Sequence, residues 1–308
     1  MNALDARGTT PGARFVDPHV LARISNLELL ARVVVEGFIN GLHRSPNLGA
    51  SMDFAEHRAY MPGDDIRRID WRLYARSDRY YIKEFEADTN ANFSVLVDTS
   101  RSMGFSSRKD GLTKLDYARF IGACLIYFSS KQRDRVGFAS FADDVVTYVP
   151  PSAKHLTVIL HELDRMKVGA RGTLGPPLRK LAERFRRRSL ICLISDLYED
   201  PPSIIEAINQ LRGKGNDIMV MHVLDSAEIE FPYDEPSNFI DLETDERIPV
   251  VPGQFSDKYR ALIQQHITTI GALCGENGID YAVFDSSKPL DEALFRFLAR
   301  REQLTRVR

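Results

Sequence analysis

The fold of this chain is decided by one stretch of sequence, Phe93-Ser94-Val95-Leu96-Val97-Asp98-Thr99-Ser100-Arg101-Ser102. Its first five residues are mostly apolar and predict a buried strand. The polar residues that follow have the pattern Asp-x-Ser-x-Ser, which places three oxygen-bearing side chains directly after that strand. In open α/β sheets, ligands bind outside the carboxyl ends of the strands. The stretch therefore predicts both a central strand and a binding site at its end.

Apolar and amphipathic segments alternate over residues 93–300, which is the pattern of a doubly wound, mostly parallel α/β sheet of the Rossmann type. A second wholly apolar run at 190–194 predicts another central strand, and Asp196 follows it. Short strands at 136–141 and 145–149 flank a turn, so one antiparallel edge strand is expected. The other predicted elements are helices at 112–131, 154–166, 177–187, 203–211, 256–274 and 290–300, and strands at 217–223 and 280–284.

We divide the chain into a disordered N-terminus (1–18), an N-terminal subdomain (19–90) and a large α/β domain (91–302). Helical spacing of apolar residues predicts an amphipathic helix over 20–42, and the turn formers of 43–63 predict loops and extended structure. An acidic, proline-containing excursion at 225–254 interrupts the large domain, and a small hairpin is expected at 238–242 and 248–251. The excursion is a contact surface or a cover for the sheet edge, and we favour the cover.

Composition excludes several classes of protein. The 41 basic and 43 acidic groups give a net charge of -2, so no overall field attracts nucleic acid or an anionic membrane. Three widely spaced cysteines in apolar segments, Cys124, Cys192 and Cys274, are expected to be buried thiols in a reducing compartment. Residues 1–18 lack the apolar core of a signal peptide, and no run approaches the ~20 apolar residues of a membrane helix. We expect a cytoplasmic protein that binds no nucleic acid and has no integral membrane segment.

Five oxygen-bearing residues predict a single site for a divalent cation: Asp98, Ser100, Ser102, Thr173 and Asp196. Hard cations bind such oxygens and usually keep some water. Thr173 follows Gly169-Ala170-Arg171-Gly172, whose glycines allow close approach of the backbone, and we expect Asp196 to act through water. Mg²⁺ is the expected ion, with Mn²⁺ or Ca²⁺ also compatible. Because this ligand set carries little charge, the cation remains able to accept a carboxylate from another protein.

A simpler interpretation treats these positions separately. The hydroxyls would then be loop residues or helix caps, and the two aspartates would be solvated loop acids. The joint pattern favours the metal site, because two apolar strands are each followed by an aspartate, with a glycine-flanked threonine between them.

Residues 93–300 resemble a von Willebrand factor A domain with a metal-ion-dependent adhesion site. In this resemblance, Asp98, Ser100 and Ser102 match the first loop of that site, Thr173 the second and Asp196 the third. Arg171 departs from the pattern, since small residues are common at its position. Its positive charge would either weaken metal binding or help attract an acidic partner.

A second signature, residues 56–71, is dense in charge and contains the only tryptophan, Trp71. Taken from the residues alone, the favoured interpretation is a solvated ion-pair network that fixes the N-terminal subdomain to the main sheet. A binding surface is the alternative. The acidic residues between the basic ones would repel phosphate, which is unlike a nucleic-acid reader.

As a pattern, Tyr60-x-Pro62-Gly63-Asp64-Asp65-x-Arg67-x-Ile69-Asp70-Trp71, followed by Ala75-Arg76 and Lys83-x-Phe85-Glu86, resembles domain-of-unknown-function family 58. The resemblance covers about residues 21–300 and implies a bacterial or archaeal cytoplasmic protein, often encoded beside a MoxR-type AAA+ ATPase. It implies an adaptor or assembly factor that works with that ATPase. The residues assigned to partner binding or to the structure of this signature are Arg58, Tyr60, Pro62, Gly63, Asp64, Asp65, Arg67, Asp70, Trp71 and Arg76.

The leading hypothesis is a non-enzymatic adaptor that presents an unknown client protein to the ATPase through the cation. A metal-dependent phosphoester hydrolase is the first alternative, because an aspartate at a strand end with Mg²⁺ also occurs in phosphoryl-transfer sites. Against it, we expect no lysine or histidine base beside the motif. A structural protein with a vestigial metal loop is the second alternative. The chain has no G-x-x-x-x-G-K-[ST] loop, so nucleotide hydrolysis is assigned to the partner.

Overall fold

In the computed structural model of this chain, strands and helices alternate from residue 92 to residue 285. The structure describes residues 26–42, 57–59, 74, 79–83, 91–108, 111–185, 188–213, 215–242 and 246–290. In chain order the described elements are α1 (Leu27–Leu42), β1 (His57–Ala59), β2 (Tyr81–Lys83), β3 (Asn92–Asp98), a 3₁₀ helix (Arg101–Gly104), α2 (Lys114–Lys131), β4 (Arg135–Phe141), β5 (Val145–Ser152), α3 (Leu156–Arg165), α4 (Gly175–Arg184), β6 (Ser189–Ser195), α5 (Pro201–Arg212), β7 (Asp217–Leu224), α6 (Ser226–Glu230), β8 (Ser237–Ile240), β9 (Arg247–Val250), α7 (Pro252–Glu276) and β10 (Asp280–Asp285).

The main sheet has six strands in the order β5-β4-β3-β6-β7-β10. All neighbouring pairs are parallel except β4 and β5, so β5 is an antiparallel edge strand. The predicted doubly wound, mostly parallel sheet is confirmed, including its single antiparallel edge. From β3 the chain first builds outward to β4 and β5, and then crosses back to place β6 on the other side of β3. This reversal of strand order creates a crevice at the carboxyl ends of β3 and β6.

Both faces of the central strands are buried, which explains their continuous apolar sequences. In β3, Val95 and Val97 pack into one core cluster, whereas Leu96 packs into the cluster on the opposite face. This is the period of two that a strand imposes on its side chains. Helices α1, α2 and α3 cover the first face, and α4, α5 and α7 cover the second.

The predicted elements of the large domain lie where the sequence placed them, with differences at their ends. Helix α7 begins at Pro252 rather than at residue 256, because proline is well tolerated in the first turn of a helix. The hairpin predicted in the excursion is present as the antiparallel pair β8 and β9. The short helix α6 was not predicted. The helix predicted at 290–300 lies outside the described residues from residue 291 onward.

The N-terminal helix is part of the main core. Helix α1 buries Leu27, Leu30, Ala31 and Val35 in the same cluster as α2 and α3. The amphipathic helix predicted over 20–42 is thus present from residue 27. The proposed division into residues 1–18, 19–90 and 91–302 stays a prediction, because much of the first two parts lies outside the described residues.

Of the ten residues assigned to the charged signature, only Arg58 lies within the described residues. It is in β1, where its backbone pairs with Ile82 of the antiparallel strand β2. The other assigned residues lie outside the described part of the chain: Tyr60, Pro62, Gly63, Asp64, Asp65, Arg67, Asp70, Trp71 and Arg76. Their role stays a prediction.

Two further expectations concern the whole chain. Cys124, Cys192 and Cys274 are buried free thiols, as predicted. None of the helices in the described ranges combines the length and the apolar character needed to cross a bilayer.

Candidate metal site

The candidate site lies where the strand order reverses. Strands β3 and β6 pair in parallel from Asn92 opposite Ser189 to Val97 opposite Ile194, so their carboxyl ends are adjacent. Asp98 ends β3, and Asp196 directly follows β6. The segment between α3 and α4 brings Thr173 to the same edge. One pocket is lined by all five predicted ligands, Asp98, Ser100, Ser102, Thr173 and Asp196. The structure thus brings the five residues together, while metal binding stays a prediction.

The first loop holds its polar atoms in a tight arrangement. The backbone N–H of Ser100 donates to Asp98 Oδ1 at 2.8 Å, and the Ser195 hydroxyl donates to Asp98 Oδ2 at 2.7 Å. The hydroxyl oxygens of Ser100 and Ser102 lie 3.1 Å apart. Two oxygens that bind neighbouring positions of an octahedral Mg²⁺ are about 3 Å apart. The spacing of the two serines therefore fits adjacent positions of such an ion.

The Asp98 carboxylate is buried, and none of the cationic side chains in the described ranges pairs with it. Its residue is 6% exposed, and no ion pair to it is found among the described residues. Burial, together with the nearby charge of Asp196, raises the pKa of Asp98 to about 7, although hydrogen bonds from Ser195 and Ser100 oppose this. Buried carboxylates are normally paired or bound to metals, because an isolated charge is costly inside a protein. The donor set of this pocket fits a hard divalent cation.

The second loop depends on two close approaches of its backbone. The N–H of Gly169 donates to the carbonyl of Thr99 at 2.6 Å. A Cβ atom on Gly172 would lie 2.8 Å from the Cβ of Ser100, closer than real Cβ atoms pack. Glycine is therefore needed here, as the sequence predicted. Thr173 lines the pocket and is exposed, so it lies at the mouth. Arg171, two residues before it, is also exposed.

Substituting Gly172 with alanine is expected to weaken cation binding, although the residue supplies no ligand. The added methyl group would push the second loop away from Ser100, and overpacking of this kind costs about 1–3 kcal/mol. Calorimetric titration with Mn²⁺ should show an affinity loss of about ten-fold. Gly175→Ala is the matched control, because a Cβ on Gly175 meets nothing within 4 Å. Equal affinities for Gly172→Ala and the unsubstituted protein would exclude the second loop from the site.

The third loop is shaped by two histidines behind the pocket. His222 Nε2 lies 2.8 Å from the Asp196 carbonyl, and its Nδ1 lies 2.6 Å from the Tyr281 hydroxyl. A carbonyl oxygen only accepts, so Nε2 carries the proton and Nδ1 accepts from Tyr281. Burial lowers the pKa of His222 to about 3, which keeps the ring neutral. His266 Nε2 donates to the carbonyl of Leu197 at 3.0 Å, where Leu197 has a left-handed φ of +50°.

A buried lysine also holds the third loop. Lys114 is 0% exposed, and its Nζ lies 2.8 Å from Asp196 Oδ2 and 2.7 Å from Glu228 Oε1. The ring of Tyr198 covers the ammonium group at 4.7 Å. Burial works against the charge of Lys114, but the two carboxylates outweigh it, so the pKa of Lys114 is raised. One oxygen of Asp196 is therefore occupied by an ammonium group before any cation binds.

The sequence predicted no lysine or histidine base beside the motif, but one residue of each type lies there. Lys114 binds the side chain of Asp196, and His222 binds its backbone carbonyl. Neither group is free to act as a base, because Lys114 is held by two carboxylates and both ring nitrogens of His222 are engaged. The hydrolase alternative still lacks a general base, because the lysine and the histidine beside the motif are both engaged in other contacts.

Three more residues of the site were missed. Ser195 binds Asp98, Glu228 binds Lys114, and Glu199 accepts the N–H of Leu174 at 2.6 Å, which ties the second loop to the third. Ser195 and Glu199 are close to Asp196 in sequence, and this proximity could have indicated that they belong to the site. Lys114 lies 82 residues from Asp196 and gave none.

The site contains few charged ligands. Across the described residues, no group of three or more His, Cys, Asp or Glu side chains is placed to hold a metal ion. A cation at this edge must therefore rely on hydroxyl and water oxygens as well as carboxylates. This composition suits Mg²⁺, which retains water readily.

A reversed strand order with oxygen donors at the reversal defines a doubly wound α/β domain with a candidate binding site at its switch point. The chain belongs to the family described as protein of unknown function DUF58, whose sequence profile matches residues 56–269. The predicted membership is confirmed. The matched range contains all five candidate ligands as well as Lys114 and Glu228.

Related proteins carry little functional description. Uncharacterised proteins of Mycobacterium tuberculosis and Mycobacterium bovis are 27% identical over 221 residues, which is 70% of this chain and 68% of theirs. The solved structure of the conserved hypothetical protein BatB from Bacteroides thetaiotaomicron is 16% identical and covers 69% of this chain and 99% of its own, with a TM-score of 0.44. The SpRpn10 VWA domain is 15% identical and covers 67% of this chain and 93% of its own, with a TM-score of 0.41. With TM-scores this low, these two structures add nothing to what the strand order establishes.

Proposed function

We propose that this chain is a non-enzymatic protein-binding domain that docks an acidic side chain of a partner through a bound divalent cation. One observation carries the proposal. Three loops far apart in sequence bring the two carboxylates and three hydroxyls of the predicted ligands to a single pocket. One of those carboxylates, Asp98, is buried without an ion pair in the described part of the chain.

The described contacts suggest how the residues would share the cation. Asp98, Ser100 and Ser102 would hold it directly, and Thr173 would bind it from the mouth of the pocket. Asp196 would act through water, because its Oδ2 is already bound to Lys114. A bound Mg²⁺ would supply a concentrated positive charge with positions open to an outside oxygen. The exposed Arg171 beside the mouth would add attraction for an acidic partner.

The partner in this proposal is a MoxR-type AAA+ ATPase, to which the chain would present a client protein. This choice rests on the resemblance of the charged signature, together with the absence of a phosphate-binding loop from the sequence. The buried free thiols are compatible with the cytoplasm, where such an ATPase would act.

Removal of the cation or of its central ligand is expected to abolish partner binding. The purified protein should capture the MoxR-type ATPase of the same organism in Mg²⁺, with at least a ten-fold loss in EDTA or for Asp98→Ala. Asp144→Ala is the control, because Asp144 is an exposed acid paired with Lys180. Circular dichroism should show that both variants are folded. Undiminished capture by Asp98→Ala, or in EDTA, would contradict the proposal.

Two other outcomes would select the alternatives. Turnover of p-nitrophenyl phosphate that is lost in Asp98→Asn would support a hydrolase. No heat on titration of the unsubstituted protein with Mg²⁺ or Mn²⁺ would support a vestigial metal loop.

A further inference from the structure

The acidic excursion is attached to the candidate cation site by a chain of buried charges. Asp196 of the third loop binds Lys114 at the start of α2, and Lys114 binds Glu228 of α6, the first element of the excursion. Their side chains are 3%, 0% and 13% exposed, respectively. Solvent therefore screens these interactions weakly.

Glu228 is itself fixed in place. Its Oε2 accepts the backbone N–H of Asp225 at 2.8 Å in a capping box at the start of α6. Asp225 also accepts the N–H of Ser107 at 3.1 Å, which anchors the excursion to the segment that follows the first loop. The ammonium of Lys114 consequently has two carboxylate partners held by independent elements, a strand end and a capped helix.

Asp196, Lys114 and Glu228 form a triad of charges, and their sum determines how strongly Asp196 attracts a cation. With both acids ionised, Asp196, Lys114 and Glu228 together carry one negative charge. Neutralising Lys114 would leave two negative charges beside the pocket. Neutralising Glu228 would leave a balanced pair of Lys114 and Asp196. The two changes act on the same ammonium contact but alter the local charge in opposite directions.

We propose that the opposed charges of Lys114 and Glu228 together set the affinity of the site for its divalent cation. The inference rests on the proposed function, since it concerns the same cation. It gives the excursion a role that the sequence left open, because α6 supplies one of the two charges that tune the site.

The test is a calorimetric titration with Mn²⁺ of four proteins: unsubstituted, Lys114→Met, Glu228→Gln and the double variant. Lys114→Met adds net negative charge beside the pocket and should bind Mn²⁺ at least ten-fold more tightly. Glu228→Gln removes net negative charge and should bind Mn²⁺ at least ten-fold more weakly. The expected size follows from the Coulomb attraction between the ion and a nearby unit charge. The double variant keeps one negative charge and should return to within about three-fold of the unsubstituted protein. Lys180→Met removes a pair that is more than half exposed and should leave the affinity unchanged.

A merely structural role would give a different pattern. Both single variants break a contact of the same ammonium group, so loss of structure would lower both affinities and the double variant would be no better. That result, or unchanged affinity in Glu228→Gln, would overturn the inference while leaving the proposed function intact. If Lys114→Met fails to fold, Glu228→Gln, which keeps the lysine, still decides the outcome. No Mn²⁺ binding by the unsubstituted protein would overturn both proposals.

Discussion

Replacing Asp98 with asparagine is expected to stabilise the cation-free protein at neutral and alkaline pH. The folded protein holds the pKa of Asp98 at about 7, chiefly through burial, against an ordinary value of 3.8. The folded state therefore binds this proton more tightly than the unfolded chain does. The contribution of Asp98 to stability falls as the pH rises from about 4 to about 7, and it is constant above that range. The difference between the two pKa values corresponds to up to about 4 kcal/mol.

Urea denaturation in EDTA at several pH values between 4 and 8 measures this effect. The free energy of unfolding should be similar for Asp98→Asn and the unsubstituted protein at pH 4, and the variant should become progressively more stable toward pH 8. Asp144→Asn, which changes an exposed acid with a lowered pKa, is the control for the loss of a surface carboxylate. A difference in the free energy of unfolding between Asp98→Asn and the unsubstituted protein that does not vary with pH would contradict the raised pKa of Asp98.

Mg²⁺ should offset most of this difference in stability. A ligand at 100 times its dissociation constant stabilises the state that binds it by about 2.7 kcal/mol. The unsubstituted protein should gain this stabilisation, whereas Asp98→Asn should gain little. The same carboxylate would then destabilise the ion-free protein and bind the ion when it is present. This behaviour is expected of a metal site rather than of a structural hydrogen bond.

Lys114→Met is expected to lower the free energy of unfolding by about 3–5 kcal/mol, because it leaves the buried carboxylates of Asp196 and Glu228 facing each other without a cation. The methionine has a similar length and apolar stem, so the loss would report charge rather than packing. Lys180→Met breaks the pair with Asp144, whose side chains are more than half exposed, and it should have no measurable effect.

Guanidinium denaturation of the two lysine variants at pH 7 in EDTA gives the comparison. Adding Mg²⁺ should restore part of the stability of Lys114→Met, since the ion would neutralise Asp196 in place of the lost ammonium. Equal stabilities for Lys114→Met and Lys180→Met would mean that the buried ion pairs of Lys114 contribute no more to stability than a surface pair does. That outcome would also remove the physical basis for the effect of Lys114 on the affinity of the site.

The sequence alone determined the main sheet and most of the candidate ligand set. Strand β3 and strand β6 are buried on both faces, so their sequences are almost wholly apolar and can be recognised without a structure. Side chains that follow parallel strands meet at one edge of the sheet, so Asp98 and Asp196 were placed together by topology alone. The glycines before Thr173 were informative because a Cβ on Gly172 would lie only 2.8 Å from the Cβ of Ser100.

Only the tertiary structure decided which groups stand behind the ligands. Lys114 begins a helix after a Thr113 cap, a position that looks like any surface lysine in sequence. It becomes buried because α2 packs on the sheet beside β3 and because α6 folds back to place Glu228 over it. Local sequence patterns record which face of a strand or helix is apolar. They do not record which distant carboxylate a buried ammonium will meet, because that depends on how separate elements pack together in three dimensions.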